Sequence, residues 1–319
     1  MKKSLRLILF FFIGVILFTT AILAIPDQYG EIYSRSIVYQ YDYLRSIKNE
    51  KKLIMIGNSS LMFGLDLNTM DELSGYRSVL LGGHAGYGLP FFMEMSKENL
   101  APGDVVVIEF PGKTDLDAFD VDLLLTGIGK RYDMYRFFVG KERRYALFRY
   151  PKYIKDSFNY MLNGGYYSDG VYSMEAMDYR GSMVYKRGEC EIPYPYEDAV
   201  AAEDQYLWFT IEGFEPDKQY CDYVNDYVKY CADRNVQVLF TVPCYLDEAV
   251  VSSKEDMDAY DRSWADVLNA PYVSHQTDYI FPRKYIYNQA AHCNTEGAIL
   301  RTTLLYDDIK DYLSAPSEK

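Results

Sequence analysis

The chain has 319 residues, of which 49% are hydrophobic and 25% charged. This composition excludes an intrinsically disordered protein and is sufficient for one large domain or for a domain with an insertion. The formal net charge of −13 argues against a nucleic acid partner, because proteins that bind a duplex make mostly basic contacts to its phosphates.

The N-terminal segment has the length and composition of a membrane-spanning helix. Three basic residues precede an uncharged run over residues 7–25, which at about 1.5 Å per residue matches the ~30 Å hydrocarbon core of a bilayer. The basic residues are Lys2, Lys3 and Arg6. They predict an uncleaved signal anchor in the lipid bilayer, with residues 1–6 in the cytoplasm and everything after Pro26 outside. A cleaved secretory signal peptide is the alternative, although "TAILAIPDQYG" offers no small-x-small cleavage site.

Alternating strand and helix patterns follow the anchor. Residues 26–51 are polar and aromatic and predict a juxtamembrane helix or linker. After them, short apolar runs typical of strands buried on both faces alternate with helical patterns. The strand patterns are "KLIMIG", "RSVLLGG" and "GDVVVIEF", and the helical ones are "DLNTMDELSG" and "LPFFMEMSKENL". This βαβαβ order predicts a parallel sheet flanked by helices.

The alternation stops over residues 112–215 and then resumes. The C-terminal part contains a helix in "PDKQYCDYVNDYVKYCADRN", a strand in "VQVLFTVP", a helix in "SSKEDMDAYDRSWADVLN", a fifth strand in "PYVSH" and a last helix near "NTEGAILRTTLLYDDIKDYL". The interruption of roughly 100 residues is too long for a structureless loop, so we expect an insertion of helices and a lid. The predicted fold is α/β, with a doubly wound, flavodoxin-like parallel sheet of five strands and helices on both faces, in a domain over residues 52–315.

The five cysteines form no CxxC pair and give no spacing typical of a metal site. They are Cys190, Cys221, Cys231, Cys244 and Cys293. Cys221 and Cys231 share one predicted helix about 15 Å apart, beyond the ~7 Å limit between the α-carbons of a disulfide. We therefore expect buried free thiols. With only three scattered histidines, we also expect no metal and no cofactor.

A basic segment interrupts the acidic chain between Lys130 and Lys155. Nine Lys and Arg residues lie there against Asp133 and Glu142, a local balance of +7. Two interpretations stay open. The segment is either the solvated face of two helices, or a surface for phosphate-bearing polymer or anionic lipid head groups.

Ser59 and His292 are the candidate catalytic residues. Ser59 comes just after the first predicted strand, and ligands of open α/β sheets bind beyond the carboxyl ends of the strands. Serine is also a good helix cap, so capping is the competing interpretation. His292 lies in the loop before the last helix, on the same side of the sheet, and a serine needs such a base to attack an acyl carbon.

Three short blocks resemble the SGNH (GDSL-like) hydrolase superfamily. "IGNSSL" is similar to the block of the nucleophile, "LLGGHAG" to the block of the oxyanion-hole glycine and "AAHCNTEG" to the block of the catalytic histidine. The resemblance covers residues 52–110 and 216–314. It implies an SGNH-type fold and ester hydrolysis or acyl transfer, with Ser59 as nucleophile, His292 as base and the amides of Ser59 and Gly82 as oxyanion donors.

The sequence departs from the family pattern at the acidic partner of the histidine. Asn288 and Gln289 occupy the positions where the family has an acid, and Asn288 is then the residue that would orient the ring. Asp278 or Glu109 is the candidate replacement carboxylate. The third block, "VVVIEFPGKTD", also lacks the family's Gly-x-Asn-Asp. Possible substrate contacts are Asn58, His84 and Glu109.

Similar membrane-anchored SGNH-like proteins occur in envelope-polymer O-acylation systems. The resemblance implies an extracellular esterase or O-acyltransferase that acts on an acyl ester of a cell-envelope glycan or polymer, with a membrane-bound O-acyltransferase as a partner. The alternative is a weakly active or inactive accessory protein that binds polymer or scaffolds that acyltransferase. A secreted lipid esterase, released by anchor cleavage, is the third possibility.

Overall fold

A four-stranded parallel β-sheet is at the centre of the structure. The structure is a computed structural model and describes residues 2–110, 116 and 119–313. Met1 of the predicted tail, the predicted start of the insertion at 112 and the predicted domain end at 314–315 lie outside these residues. The sheet strands are β1 (Lys52–Ile56), β2 (Arg77–Leu81), β3 (Val105–Glu109) and β4 (Gln237–Thr241). Their order is β2-β1-β3-β4, which confirms the predicted parallel α/β arrangement.

The described helices and the two remaining short strands connect and cover this sheet. The helices are α1 (Lys2–Ala24), α2 (Ser36–Ser46), α3 (Ser59–Gly64), α4 (Leu67–Ser74), α5 (Leu89–Lys97), α6 (Val121–Ile128), α7 (Lys141–Leu162), α8 (Tyr196–Ala202), α9 (Lys218–Ala232), α10 (Lys254–Ala265) and α11 (Thr295–Leu313). The strands β5 (Tyr245–Leu246) and β6 (Ile280–Phe281) form a separate parallel pair.

Helices pack on both faces of the sheet because successive strand residues point to opposite sides. Ile54 and Ile108 belong to a core that includes α2, α5, α6, α9 and α10. Met55 and Val107 belong to a second core, with α3, α4 and α11. Burial on both faces explains why the strand sequences are continuous apolar runs.

The predicted fifth strand is not confirmed. The segment "PYVSH" meets β4 only through a single parallel bridge, in which Val273 N donates to Phe240 O at 2.9 Å and Phe240 N donates to Pro271 O at 2.9 Å. Pro271 has no N–H to donate to a ladder. The chain then turns into a 3₁₀ helix at Gln276, whose backbone N donates to Asp261 at 2.9 Å.

The helix predicted within residues 26–51 is α2, and its buried side belongs to the domain core. Ile37, Tyr41 and Leu44 are fully buried on one side of α2. Their spacing is that of an amphipathic helix face, which the neighbouring polar residues obscured. Only residues 25–28 separate the end of α1 from Tyr29, which is buried against tyrosines of the insertion.

Helix α1 is long and apolar enough to span a membrane. The spanning stretch is Ser4–Ile22, with a mean hydropathy of 2.5, and none of its described residues is buried inside the structure. This agrees with the predicted anchor over residues 7–25. The predicted insertion contains α6, α7 and α8 among its described residues, and α6 packs against α2 in the core on the Ile54 side of the sheet.

Candidate active site

The structure brings Ser59 and His292 together at the carboxyl end of β1. Ser59 Oγ lies 3.0 Å from His292 Nε2. Asn58, rather than Ser59, is the N-cap of α3, and its side chain accepts a hydrogen bond from Ser60 N at 2.8 Å. The capping interpretation of Ser59 is therefore wrong. The side chain of Asn58, predicted as a possible substrate contact, is used for this cap.

A hydrogen-bonded chain fixes the imidazole of His292. Nδ1 lies 2.9 Å from Asn288 Oδ1, and Asn288 Nδ2 donates to the Tyr172 hydroxyl at 2.9 Å. Because the amide nitrogen is directed at Tyr172, Asn288 presents its carbonyl oxygen to the ring, so Nδ1 carries the proton. This tautomer leaves the Nε2 lone pair directed at Ser59, as a general base requires.

Burial keeps His292 uncharged. The side chain is 4% exposed and stacks on Phe63, with ring centroids 4.0 Å apart. The pKa of His292 is lowered to about 3, mainly by burial and to a smaller extent by Arg187 and His84. At neutral pH the imidazole is therefore uncharged, and its Nε2 lone pair is unprotonated.

This pKa leads to a prediction for how the reactivity of Ser59 depends on pH. A histidine with an ordinary pKa of about 6.5 becomes protonated, and ceases to be a base, as the pH falls through that value. His292 stays neutral until the pH approaches about 3. The rate at which a fluorophosphonate labels Ser59 should therefore be nearly constant between pH 8 and pH 5. Gel fluorescence of samples quenched at successive times measures this rate.

The matched control for this pH profile is Arg187→Met. Removing the positive charge raises the pKa of His292, so the acidic limb should move to higher pH without a change in the plateau. A wild-type rate that falls tenfold per pH unit below about pH 6.5 would contradict the buried, neutral state of His292.

Arg187 and Tyr172 are site residues that the sequence did not indicate. The Arg187 guanidinium lies 5.4 Å from the Phe63 ring centre, and burial lowers its pKa to about 10. Its Nε and Nη1 have no hydrogen-bond partner among the described residues. Both residues come from an irregular, tyrosine-rich part of the insertion, where no local motif distinguishes them from their neighbours.

The backbone N–H of Gly82, the predicted oxyanion donor, already donates a hydrogen bond within the protein. Gly82 N donates to Gln40 Oε1 at 3.1 Å, and Gln40 Nε2 donates to Gly82 O at 2.8 Å and to Gly181 O at 3.1 Å. The Gly82 amide is therefore not available to an oxyanion in this arrangement. The sequence prediction missed this contact because it placed Gln40 in a linker outside the domain.

Glu109 does not replace the missing acid, and it does not face substrate. Its side chain is fully buried, accepts a hydrogen bond from Ser60 Oγ at 2.5 Å and forms an ion pair with Arg301. Arg301 also donates to Ser60 O at 2.9 Å, so α11 and β3 together hold the turn that follows β1. Asp278, the other candidate, is exposed in the 3₁₀ helix at 276–279, and the ring nitrogen Nδ1 of His292 bonds Asn288 instead.

The buried Glu109–Arg301 pair makes a prediction for stability. Replacing Glu109 by Gln leaves the buried Arg301 charge without a counter-charge, which typically costs about 3–5 kcal/mol of the free energy of unfolding. Urea titration followed by circular dichroism measures this change. The double variant Glu109→Leu with Arg301→Met should recover much of the loss, because it removes both charges.

The exposed pair of Arg77 and Glu50 is the matched control. Its side chains are 58% and 48% exposed, so Glu50→Gln should change the free energy of unfolding by less than about 1 kcal/mol. Equal effects of Glu109→Gln and Glu50→Gln would contradict the role of Glu109 in holding the turn before α3.

A cavity of about 610 Å³ is connected to the Ser59–His292 pair through Tyr172, and neither Ser59 nor His292 is among its described lining residues. Tyr172 lines it and also bonds Asn288, and His84, a predicted substrate contact, lies in its wall. The other walls carry aromatic and charged side chains, among them Tyr33, Tyr153, Tyr160, Asp120, Lys152 and Asp156. The cavity therefore offers both flat aromatic surfaces and hydrogen-bonding groups to a ligand.

Comparison of the chain with protein-family models and with curated proteins gives no match.

Proposed function

We propose that this protein is a membrane-anchored SGNH-like serine esterase or O-acyltransferase that acts, outside the cell, on an acyl ester of a cell-envelope glycan or polymer. The observation that carries the proposal is the 3.0 Å contact between Ser59 Oγ and His292 Nε2 beyond the end of β1. The order of the three sequence blocks supports the SGNH-type, flavodoxin-like, doubly wound assignment. The basic residues before α1 support the outside location of the domain.

The proposed reaction has two steps. Ser59 Oγ attacks the ester carbonyl carbon while His292 Nε2 takes the hydroxyl proton, and the same proton then passes to the departing alcohol. Water or an acceptor hydroxyl next gives a proton to His292 and attacks the acyl-serine, and Ser59 regains its proton as the acyl group leaves. The Ser59 amide is the proposed oxyanion donor, and the Gly82 amide joins it when its bond to Gln40 opens.

A carbohydrate-containing substrate fits the walls of the neighbouring cavity. Tyrosine rings supply apolar faces on which sugar rings stack, and the carboxylates of Asp120 and Asp156 accept hydrogen bonds from sugar hydroxyls. The cavity of about 610 Å³ lies within the range of small-ligand sites. These features support a glycan as the acyl carrier.

Fluorophosphonate labelling tests the proposal. We expect the full chain in detergent to be labelled on Ser59, as located by peptide mass spectrometry, because only a serine with an adjacent base reacts readily. Ser263→Ala, which removes an unrelated serine on α10, is the matched control and should be labelled like the wild type. Absence of labelling in a folded protein, or a label on another residue, would overturn the Ser59 assignment.

A non-catalytic accessory role is the second candidate. Two observations favour it: Asn288 stands where a carboxylate would stabilise the imidazolium, and Gln40 occupies the Gly82 amide. In this role the domain binds polymer or scaffolds a membrane-bound O-acyltransferase. It predicts that cells with Ser59→Ala in place of the wild type keep their polymer acylation, whereas the esterase proposal predicts a change.

A further inference from the structure

Two cysteine thiols lie side by side next to the loop that carries His292. Cys244 Sγ and Cys293 Sγ are 3.1 Å apart, and both side chains are fully buried. Cys293 directly follows His292, and Cys244 lies between β4 and β5. A disulfide holds its sulfur atoms about 2.05 Å apart, so a movement of roughly 1 Å would join this pair.

We propose that Cys244 and Cys293 form a disulfide in the mature protein, which ties the loop of His292 to the end of β4. This inference rests on the proposed location of the domain outside the cell, where disulfides form and persist. In the structure all five cysteines are free thiols, as the sequence predicts, and four of them are buried.

Oxidation of Cys244 and Cys293 requires an external disulfide that accepts two electrons and two protons. The thiolate of one cysteine attacks the oxidant and releases one reduced thiol, which leaves a mixed disulfide on the protein. The second cysteine loses its proton, attacks that mixed disulfide and releases the second thiol. Two electrons and two protons thus pass from Cys244 and Cys293 to the oxidant, which is glutathione disulfide or a thiol-disulfide oxidoreductase.

The two thiols differ in acidity in the folded chain. The hydrogen bond between the two sulfur atoms lowers the pKa of Cys244, and the charge of Arg301 acts in the same direction. Burial and the neighbouring sulfur raise the pKa of Cys293. Because both thiols are inaccessible in the folded chain, we expect the bond to form during folding.

The other cysteines do not compete for this bond. Cys221 and Cys231 lie on the single helix α9, about 15 Å apart along its axis, and Cys190 contacts Arg283. The Cys244–Cys293 bond would close a loop of 49 residues, which restricts the unfolded chain. Its reduction should lower the midpoint of thermal unfolding by about 5 °C or more.

Counting alkylated cysteines tests the disulfide. The full chain is extracted from membranes, denatured and alkylated with iodoacetamide, and intact mass spectrometry should find three modified cysteines before reduction and five after it. Cys244→Ser and Cys293→Ser should each abolish this difference, and Cys231→Ala, a matched buried control, should keep it.

A second experiment tests the disulfide independently of the proposed location outside the cell. Protein refolded from the reduced state with glutathione disulfide should also show only three reactive cysteines. If protein from cells is reduced but refolded protein is crosslinked, the bond is supported and the outside location fails. Five reactive cysteines after oxidative refolding would overturn the disulfide, whatever the outcome of serine labelling.

A different observation concerns the outer surface of α7. Four apolar side chains at helical spacing are exposed, and we call them the apolar face of α7: Leu147, Phe148, Phe158 and Leu162. Leu147 is 74% exposed and Phe148 is 65% exposed. Helical periodicity places Arg144 and Lys155 on the same side of the helix.

This face is continuous with the membrane-spanning helix. Phe18 and Ile22 of α1 line an apolar cavity of about 640 Å³ together with Leu147 and Tyr150 of α7. Both α1 residues belong to the spanning stretch Ser4–Ile22. The start of α7 is therefore at the level where the anchor leaves the bilayer.

Part of the charge of the basic segment is paired within the protein. At least four of the nine basic residues form ion pairs with described carboxylates, and they are Arg131, Arg136, Arg149 and Lys152. This pairing favours the solvated-face interpretation for much of the segment. Arg144 and Lys155 remain beside the apolar face, as is typical of helices that lie in a membrane interface.

We infer that α7 lies in the outer interface of the bilayer, with its apolar face among the lipid chains and Arg144 and Lys155 at the head groups. Quenching of a fluorophore tests this. The full chain, with Cys190→Ser to remove the most accessible thiol, carries an environment-sensitive dye at Phe148→Cys in vesicles of phosphatidylcholine and phosphatidylglycerol with a doxyl-labelled lipid.

We expect the dye at residue 148 to be quenched at least about twofold, because its side chain lies in the lipid. The control is Lys218→Cys, whose native side chain is 85% exposed on α9 and should remain in water. Equal quenching at the two positions would overturn the inference. The inference would also be overturned if the dye at residue 148 were shielded from water in native membranes but not in pure lipid vesicles. A protein partner, and not lipid, would then cover the apolar face of α7.

Discussion

Ser59→Ala should reduce the rate of ester hydrolysis by about 10³-fold or more, because removal of the nucleophile of a serine hydrolase leaves only binding and oxyanion stabilisation. At about 1.4 kcal/mol per factor of ten, this is at least ~4 kcal/mol of transition-state stabilisation. The measurement is hydrolysis of a chromogenic short-chain acyl ester by the full chain in detergent. The serine lies 3.0 Å from its base, so we expect no other residue to replace it.

Residues that act as one unit have non-additive effects, and this provides the control. His292→Ala should cost about as much as Ser59→Ala, and the double variant should be no slower than either single one. Ser263→Ala should retain the wild-type rate. Independent losses that multiply in the double variant would show that Ser59 and His292 do not work as a pair.

Asn288→Asp should increase the same rate, by about 10²-fold or more. A carboxylate at this position stabilises the imidazolium that forms when His292 takes the serine proton, which an amide does not do. The opposite exchange, Asp to Asn, in a serine protease lowers the rate about 10⁴-fold. The distance of 2.9 Å between His292 Nδ1 and Asn288 Oδ1 places the new carboxylate in hydrogen-bonding range.

The pH profile distinguishes this electrostatic effect from a change in folding. The negative charge of the new side chain raises the pKa of His292 from about 3 toward its ordinary value, so the acidic limb of the rate should move upward in pH. Gln289→Glu, which places a carboxylate one residue away, is the matched control. It should neither increase the rate nor move the acidic limb. An unaltered rate and profile in Asn288→Asp would mean that the missing acid does not limit this site.

The elements that the sequence predicted correctly are those set by local patterns. Continuous apolar runs predicted β1 to β4, because a strand buried on both faces needs such residues. The pairing of Ser59 with His292 followed from the rule that the carboxyl ends of parallel strands share one edge. Neither prediction required knowledge of contacts between distant segments.

The errors at the site involve contacts between distant segments. Gln40 reaches Gly82 across 42 residues of chain, and Tyr172 reaches Asn288 across 116. No spacing within either segment encodes such a contact. The role of α2 was missed for a related reason, since tyrosines on its buried side gave a pattern that is also typical of an exposed, polar helix.

The short connection between α1 and Tyr29 limits where the domain can act. Four residues, at no more than about 3.6 Å each, allow a reach of roughly 14 Å between the anchor and the first buried side chain. Under the proposed anchoring, Ser59 therefore stays close to the membrane and does not reach the outer layers of the cell envelope. Under the proposed function, acyl donors and acceptors would therefore be met at the membrane, which suits polymer chains that are still being assembled there rather than material already built into outer layers.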